Sequence, residues 1–181
     1  MNSDINIKEI ENFLIEELSV NRAKSLKNID NSKKEELTRL LWEIMISNKH
    51  PHSWRAAWSI FHLVEKQKEL MRPYLSEIIK LLLSFKYDGQ KREMMKVLLL
   101  FPTTDLEMGK LVGICFRILD NPNESLAVRV HAMQIIFNIS EIELEIKPEL
   151  KSTIIHHLDN SSKGFKSRGN KLLRKMKNVQ I

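Results

Sequence analysis

Four cations recur along this chain at a constant spacing of 37 residues: Arg55, Arg92, Arg129 and Lys166. Guanidinium and ammonium groups at regular intervals can line a groove for an anionic polymer, because each donates hydrogen bonds to phosphate or carboxylate groups. The same cations can instead be structural, pairing with turn carboxylates and packing their stems against the next unit. The fixed spacing favours the structural role, because a contact that builds a repeat must return in every repeat.

Aromatic and further basic residues extend this possible binding surface. Trp54 and Trp58 are one helical turn apart and share a face, so they could stack on bases, although core or interface packing is favoured for at least one of them. The candidate surface for an anionic ligand consists of Trp54, Arg55, Arg92, Arg129, Lys166, Arg168 and Lys171.

No other constellation indicates catalysis or cofactor binding. His50 and His52 flank a proline, His156 and His157 are adjacent, and no carboxylate follows them at the spacing of metal ligands. The one cysteine, Cys115, lies in an apolar stripe and is expected to be a buried, unreactive thiol. A glycine-rich phosphate loop and a nucleophile elbow are both absent. We therefore expect a non-enzymatic protein with no metal and no cofactor.

The residues around the cations follow the same period, which predicts helical hairpins. An apolar residue stands six positions after each cation and another stands eleven positions before it. The first set is Phe61, Leu98, Ile135 and Leu172, and the second is Ile44, Leu81, Ile118 and Ile155. Within each period two amphipathic helices are predicted. The predicted repeats are 33–68, 69–103, 104–141 and 147–177, preceded by an N-terminal cap over 1–32.

Local signals place the helix boundaries. Capping boxes at Ser32-x-x-Glu35 and Thr104-x-x-Glu107 predict the starts of two first helices. Tyr87-Asp88-Gly89 predicts a turn before a helix over 90–101, with Gly89 supplying the permissive backbone. In the cap, we expect a helix over 6–19 followed by a short polar segment over 20–31 in which Leu26 and Ile29 tuck back as a partial turn.

Composition restricts the class of protein. A chain of 181 residues that is 43% apolar and 29% charged is typical of one folded domain, and the low content of five glycines and five prolines favours long helices. No apolar run approaches the roughly 20 residues that span a bilayer, and no secretory signal is visible. These features predict a cytoplasmic protein without membrane association; the oligomeric state is left open.

The pattern resembles HEAT repeats, a family of helical hairpins of this length. The resemblance is carried by Asp120 with Arg129, Asp159 with Lys166, and the string Val128-Arg129-x-x-Ala132. It implies an all-α solenoid of about four hairpins with an N-terminal cap helix, in which turn acids pair with helix cations and the second helices line the concave face. The stretches Ser53–Trp58 and Gly164–Gly169 also resemble those of small bacterial proteins of unassigned function.

Charge is concentrated in the second helices of the hairpins. The four predicted first helices together carry +1, whereas the second helices carry +10, of which +6 lies in 163–176. If the resemblance holds, the concave face would be positive. A solvated basic helix at the end of the array would give the same pattern.

Two functions remain open from the sequence. The favoured one is a scaffold that binds a protein or peptide on one face of the array, because this is what the resemblance implies. The alternative is a nucleic-acid-binding module that uses the basic second helices, similar to the HEAT-like DNA glycosylases. Such an enzyme requires a carboxylate in its groove, and the second helices offer only Glu65 and Glu93, which match no motif.

Overall fold

The described part of the chain is all-α, as predicted. A computed structural model describes residues 7–15, 20–159 and 161–177, and these residues contain α-helices, short 3-10 turns and no strand. The helices are α1 Ile7–Ile15, α2 Val20–Lys27, α3 Asn31–Ile46, α4 His52–Val64, α5 Leu75–Leu81, α6 Asp88–Leu98, α7 Met108–Asp120, α8 Leu126–Ser140, α9 Lys147–Leu158 and α10 Lys163–Lys177. Single 3-10 segments lie at Lys68–Tyr74, Thr103–Asp105 and Leu144–Ile146.

The chain divides into two compact units, Met1–Phe101 and Pro102–Ile181. In the first unit α3 packs on α4, and α4 packs in turn on α2 and α6. In the second unit α7 packs on α8, and α10 packs on both α8 and α9. Packed pairs of consecutive helices are thus present as α3–α4, α7–α8 and α9–α10. The division of the chain into four repeats within one continuous domain stays a prediction.

The periodic apolar positions form the core of each unit. Phe61, Leu98, Ile135 and Leu172, which stand six residues after each cation, are all at most 9% exposed. A single amphipathic helix cannot bury its apolar stripe alone, so each hairpin is stable only when its stripe is covered by a neighbouring helix. The sequence period therefore corresponds to a repeated packing contact.

The N-terminal region is more helical than the sequence suggested. The prediction of only a partial turn over 20–31 is wrong, because α2 covers Val20–Lys27. Burial of Leu26 and an ion pair of 2.5 Å between Lys27 Nζ and Glu65 Oε2 hold this helix on α4. These tertiary contacts override the weak local pattern. The predicted helix over 6–19 is present as α1, and residues 16–19 lie outside the described residues.

Both predicted capping boxes are wrong. The N-cap of α3 is Asp30, whose carboxylate accepts a hydrogen bond of 3.1 Å from the backbone N–H of Ser32. That hydrogen bond lowers the pKa of Asp30, because the anionic form is the better acceptor. At the other site a 3-10 turn covers Thr103–Asp105, and α7 begins only at Met108, after an N-cap residue, Glu107, that makes no side-chain cap.

Gly89 has a different role from the predicted one. It lies inside α6 rather than in a turn, and no glycine among the described residues has a positive φ. A Cβ added to Gly89 would lie 3.0 Å from the Cβ of Trp54 on α4. The glycine is therefore needed for the close approach of α6 to α4 and not for backbone freedom.

Two helical glycines in the second unit give a matched test of this packing. A Cβ on Gly169 of α10 would lie 2.9 Å from Ile154 Cγ2, whereas a Cβ on Gly113 of α7 meets nothing within 4 Å. We expect Gly113→Ala to raise the free energy of unfolding by about 0.5–1 kcal/mol through helix propensity. Gly169→Ala should leave the protein about 1–3 kcal/mol less stable than Gly113→Ala, because the methyl group overpacks α9.

Urea unfolding followed by circular dichroism measures both variants. Equal stability of the two variants would show that α9 and α10 do not approach as closely as described.

Candidate functional site

Arg55, the first of the periodic cations, binds the end of another helix. Its Nη1 donates hydrogen bonds of 2.8 Å and 2.5 Å to the carbonyl oxygens of Leu14 and Ile15, the last two residues of α1. The last carbonyls of a helix lack partners within the helix and carry partial negative charge, so a cation stabilises them. Arg55 thereby fixes α1 to α4.

Arg92 is part of an ion cluster on α6. Its Nε lies 3.0 Å from Glu93 Oε1, and Lys96 Nζ lies 2.6 Å from Glu93 Oε2. The Glu93 side chain is only 3% exposed, so its two cations compensate a buried negative charge. Lys96 also lies 3.5 Å from the centre of the Phe61 ring on α4. This cluster therefore connects α6 to α4.

Arg129 is the most buried of the four cations. Its Nε donates a 2.9 Å hydrogen bond to the carbonyl of Leu119 near the end of α7, and its guanidinium lies 4.9 Å from the centre of the Phe165 ring on α10. Nη2 is buried with no hydrogen-bond partner among the described residues. Burial lowers the pKa of Arg129, and the Asp120 carboxylate opposes that shift. Arg129 thus links three helices of the second unit.

The turn acids do not bind the cations as the resemblance implied. Asp120 Oδ1 lies 2.9 Å from His157 Nε2, so this turn acid bonds to α9 instead of Arg129. Asp88 is the first residue of α6, and Arg92 binds Glu93. The cations at 55, 92 and 129 are used by the fold, but through helix-end carbonyls and a helix carboxylate.

Lys166 departs from the other three positions of the period. Its side chain is exposed, and it makes no ion pair or side-chain hydrogen bond with any residue the structure describes. The same is true of Arg168 and Lys171, the other two basic members of the candidate surface on α10. Asp159, the acid expected to pair with Lys166, is also exposed. The basic side chains of α10 are thus available at the surface.

The two tryptophans of the candidate surface are both partly buried on α4. Trp54 packs beneath Gly89 of α6, and the Arg55 guanidinium lies 5.3 Å from the centre of its ring. Trp58 stacks edge-on with His62 at a centroid distance of 4.3 Å. Both aromatic side chains therefore contribute to packing within the first unit.

The cluster around Glu93 also includes a histidine that the sequence did not single out. Burial lowers the pKa of His62, Lys96 lowers it further, and Glu93 acts in the opposite direction. The His62 Nδ1 atom is buried without a hydrogen-bond partner in the described part of the chain. The available signal was Glu93 itself, a charged residue next to Met94 and four positions before Val97, on the apolar side of its helix.

Neither a metal site nor a membrane span is found in the described residues. Within the ranges 7–15, 20–159 and 161–177, no three His, Cys, Asp or Glu side chains cluster as metal ligands. None of the helices described there is long and apolar enough to cross a bilayer. Cys115 is a buried free thiol whose pKa is raised by burial.

The fold and the repeated core define an all-α helical-repeat protein. Comparison with protein families matched residues 10–176 to the HEAT repeat domain. The chain therefore belongs to the HEAT repeat family, and proteins of this family generally act as scaffolds for protein interactions. No curated protein and no solved structure matched the chain. The resemblance to small bacterial proteins stays a prediction.

Alanine substitutions at two equivalent positions of the 37-residue period should have very different effects on the free energy of unfolding. We expect Arg129→Ala to lower the free energy of unfolding by about 2 kcal/mol or more, because it removes the hydrogen bond to Leu119, the contact with Phe165 and the packing of a long stem. Lys166→Ala should change it by less than about 0.5 kcal/mol. Denaturant unfolding of both variants measures these free energies. A larger loss for Lys166→Ala than for Arg129→Ala would show that Lys166, and not Arg129, stabilises the fold.

The environment of His62 predicts a pH dependence. The folded protein favours neutral imidazole, whereas the unfolded chain takes up a proton near pH 6.5, the ordinary value. The contribution of His62 to stability is therefore complete above about pH 6.5 and declines as the pH falls below it. In His62→Phe this decline should be smaller than in the unchanged protein. Unfolding curves between pH 5 and 8 measure the difference, and identical slopes would contradict a neutral His62.

Proposed function

We propose that this chain is a non-catalytic interaction module that binds an acidic segment of a protein or peptide through α10. The binding surface consists of six basic side chains of this helix, all exposed except the half-buried Arg168. We call it the α10 basic surface: Lys163, Lys166, Arg168, Lys171, Arg174 and Lys175. Its mechanism is charge and shape complementarity, with no chemical step.

The observation that carries this proposal is the lack of intramolecular partners for Lys166, Arg168 and Lys171 among the described residues. The helix Lys163–Lys177 contains no acidic residue. It is held in place by other residues, since Phe165, Gly169 and Leu172 are buried against the rest of the unit. The charges of Lys166, Arg168 and Lys171 are therefore not used in contacts within the described unit and are available to a partner.

The other three periodic cations differ from Lys166 because each has a partner within the fold. Arg55 binds carbonyls of α1, Arg92 binds Glu93, and Arg129 binds the carbonyl of Leu119. Using these side chains for a ligand would first break contacts that join helices. A partner attracted by charge therefore gains most at α10.

A protein partner is favoured over nucleic acid. The only aromatic residue of α10 is Phe165, and it is buried, so the helix has no ring on which an exposed base can stack. HEAT repeats also commonly bind proteins. We include a cytoplasmic location in the proposal.

Fluorescence anisotropy with three labelled probes tests the proposal: a glutamate-rich peptide, a single-stranded DNA and a duplex RNA of matched charge. We expect the peptide to bind with an affinity that falls as salt rises from low to physiological concentration. The triple variant Lys166→Glu, Arg168→Glu, Lys171→Glu should weaken binding by about tenfold or more, because it reverses charges that have no partner among the described residues.

The matched control reverses three exposed lysines of the first unit, Lys66→Glu, Lys80→Glu and Lys86→Glu. It changes the net charge equally and should leave peptide binding within about twofold. Equal weakening by both triple variants would mean that only net charge matters. Tighter binding of either nucleic acid at physiological salt would replace the proposal with the nucleic-acid alternative.

A further inference from the structure

One periodic apolar position is exposed only in the last described hairpin. Among the residues eleven positions before each cation, Ile44 is 6% exposed and Ile118 is 1% exposed, whereas Ile155 on α9 is 50% exposed. Within the second unit, the helix that carries Ile118 packs against both α8 and α9. Leu81, the remaining member of the set, is half-buried. Ile155 is therefore the most exposed residue of the set and lacks the cover that Ile44 and Ile118 have.

Ile155 lies in a groove between α9 and α10. The groove has a volume of about 530 Å³ and is lined by Lys151 and Ile155 of α9 and by Asn170, Leu173 and Arg174 of α10. Its apolar residues are Ile155 and the half-buried Leu173, and its charged residues, Lys151 and Arg174, are both basic. Among the described residues the groove thus combines an apolar floor with a positive rim.

Lys166 belongs to the same side of α10 as this groove. Lys166, Asn170 and Arg174 follow one another at four-residue spacing, so they form one stripe along the helix. Arg168 and Lys175 are seven residues apart and lie on the other side, towards α8, since Lys175 lies 5.6 Å from the ring centre of Phe137. Lys171 lies between the two sides, because it is three residues from Arg174 and four from Lys175. Lys166 and Arg174 therefore lie on the groove side of α10, whereas Arg168 and Lys175 lie on the side towards α8.

We propose that the α9–α10 groove binds an amphipathic helix of a partner protein whose apolar side chains cover Ile155 and Leu173 and whose carboxylates bind Lys151, Lys166 and Arg174. This inference rests on the proposed function and specifies where and how the acidic segment binds. A helix fits because Ile44 and Ile118, at two of the equivalent positions, are buried in helix packing. Acidic residues fit because every charged residue of the groove is a cation.

A second copy of the chain is a poor occupant. Pairing two α9–α10 grooves would place two copies of a helix with seven basic and no acidic residues against each other. Like charges at such an interface cost free energy unless they are compensated. Charge complementarity thus favours a partner of opposite charge.

The probe is a labelled amphipathic peptide of about 14 residues, roughly four helical turns, with leucines on one face and glutamates beside them. A second peptide of identical composition has the leucines distributed around the helix. We expect the amphipathic peptide to bind at least fivefold more tightly than the scrambled one, because only the former presents a continuous apolar face.

Two matched pairs of variants locate the binding site. Ile155→Ser should weaken binding of the amphipathic peptide by about tenfold, whereas Ile142→Ser, which changes an isoleucine of similar exposure (46%) outside the groove, should not. Arg174→Glu on the groove side should weaken it more than Arg168→Glu on the other side. All four positions are at least partly exposed, so the variants should fold.

The outcomes separate this inference from the proposed function. If Ile155→Ser binds normally and Arg168→Glu acts as strongly as Arg174→Glu, the groove is not the site, although α10 still binds acidic segments. If the triple charge reversal on α10 also has no effect, both proposals are wrong.

Other occupants would give different results. Sedimentation equilibrium of the full chain should show no self-association that Ile155→Ser abolishes; such association would assign the groove to a second copy. Shortening the chain to Lys177 should leave peptide affinity unchanged, and a marked rise would assign the groove to residues 178–181.

Discussion

The burial of one apolar side chain at the same place in each hairpin is the constraint on which the rest of the structure depends. Phe61, Leu98, Ile135 and Leu172 are all buried, and each stands six residues after a cation. Since the apolar residue must face the core, the register of the helix is fixed, and the direction of the preceding cation is fixed with it. The spacing of 37 residues in the sequence is therefore a consequence of core packing.

A fixed register determines the direction in which each cation leaves its helix, but it does not determine the group to which the cation binds. Arg55 finds carbonyls at the end of α1, Arg92 finds the buried Glu93, and Arg129 finds the carbonyl of Leu119. At the fourth position, Lys166 has no partner among the described residues. A position that makes contacts between helices or with a buried carboxylate at Arg55, Arg92 and Arg129 is thus not used by the described fold at Lys166.

The same comparison explains the α9–α10 groove. Ile44 and Ile118 are buried by neighbouring helices, and Ile155 is not. In a helical-repeat protein, each hairpin leaves a face for the next one to cover. An exposed isoleucine between basic side chains is the kind of face that a partner helix of opposite charge can complete, which connects the architecture to the proposed function.

The sequence was sufficient for the features that depend on local periodicity and insufficient for those that depend on tertiary contacts. The all-α fold, the hairpins and the buried register follow from the spacing of apolar residues, which a helix converts directly into a face. The capping box at Ser32 was wrong because Asp30, two residues earlier, supplies a stronger acceptor. Gly89 was assigned to a turn because glycine is common there, whereas its role depends on Trp54 in another helix.

The partners of the cations could not be read from the sequence for the same reason. Asp120 stands near Arg129 in the chain, yet its carboxylate lies against His157, 37 residues further on. Glu93 was visible as a charge within an apolar stripe, but the arrangement of His62 and Lys96 around it depends on how α6 packs on α4.

The division between structural and available cations can be measured directly by labelling the arginines of the folded protein with phenylglyoxal and following each site by mass spectrometry. Arg129, which is 9% exposed and bound to Leu119, should react much more slowly than Arg168 and Arg174 on α10. All of these arginines should react at similar rates once the protein is unfolded. Labelling of Arg129 in the folded protein at the rate of Arg174 would show that the periodic cations are not held by contacts within the fold. The distinction between α10 and the other second helices would then be wrong.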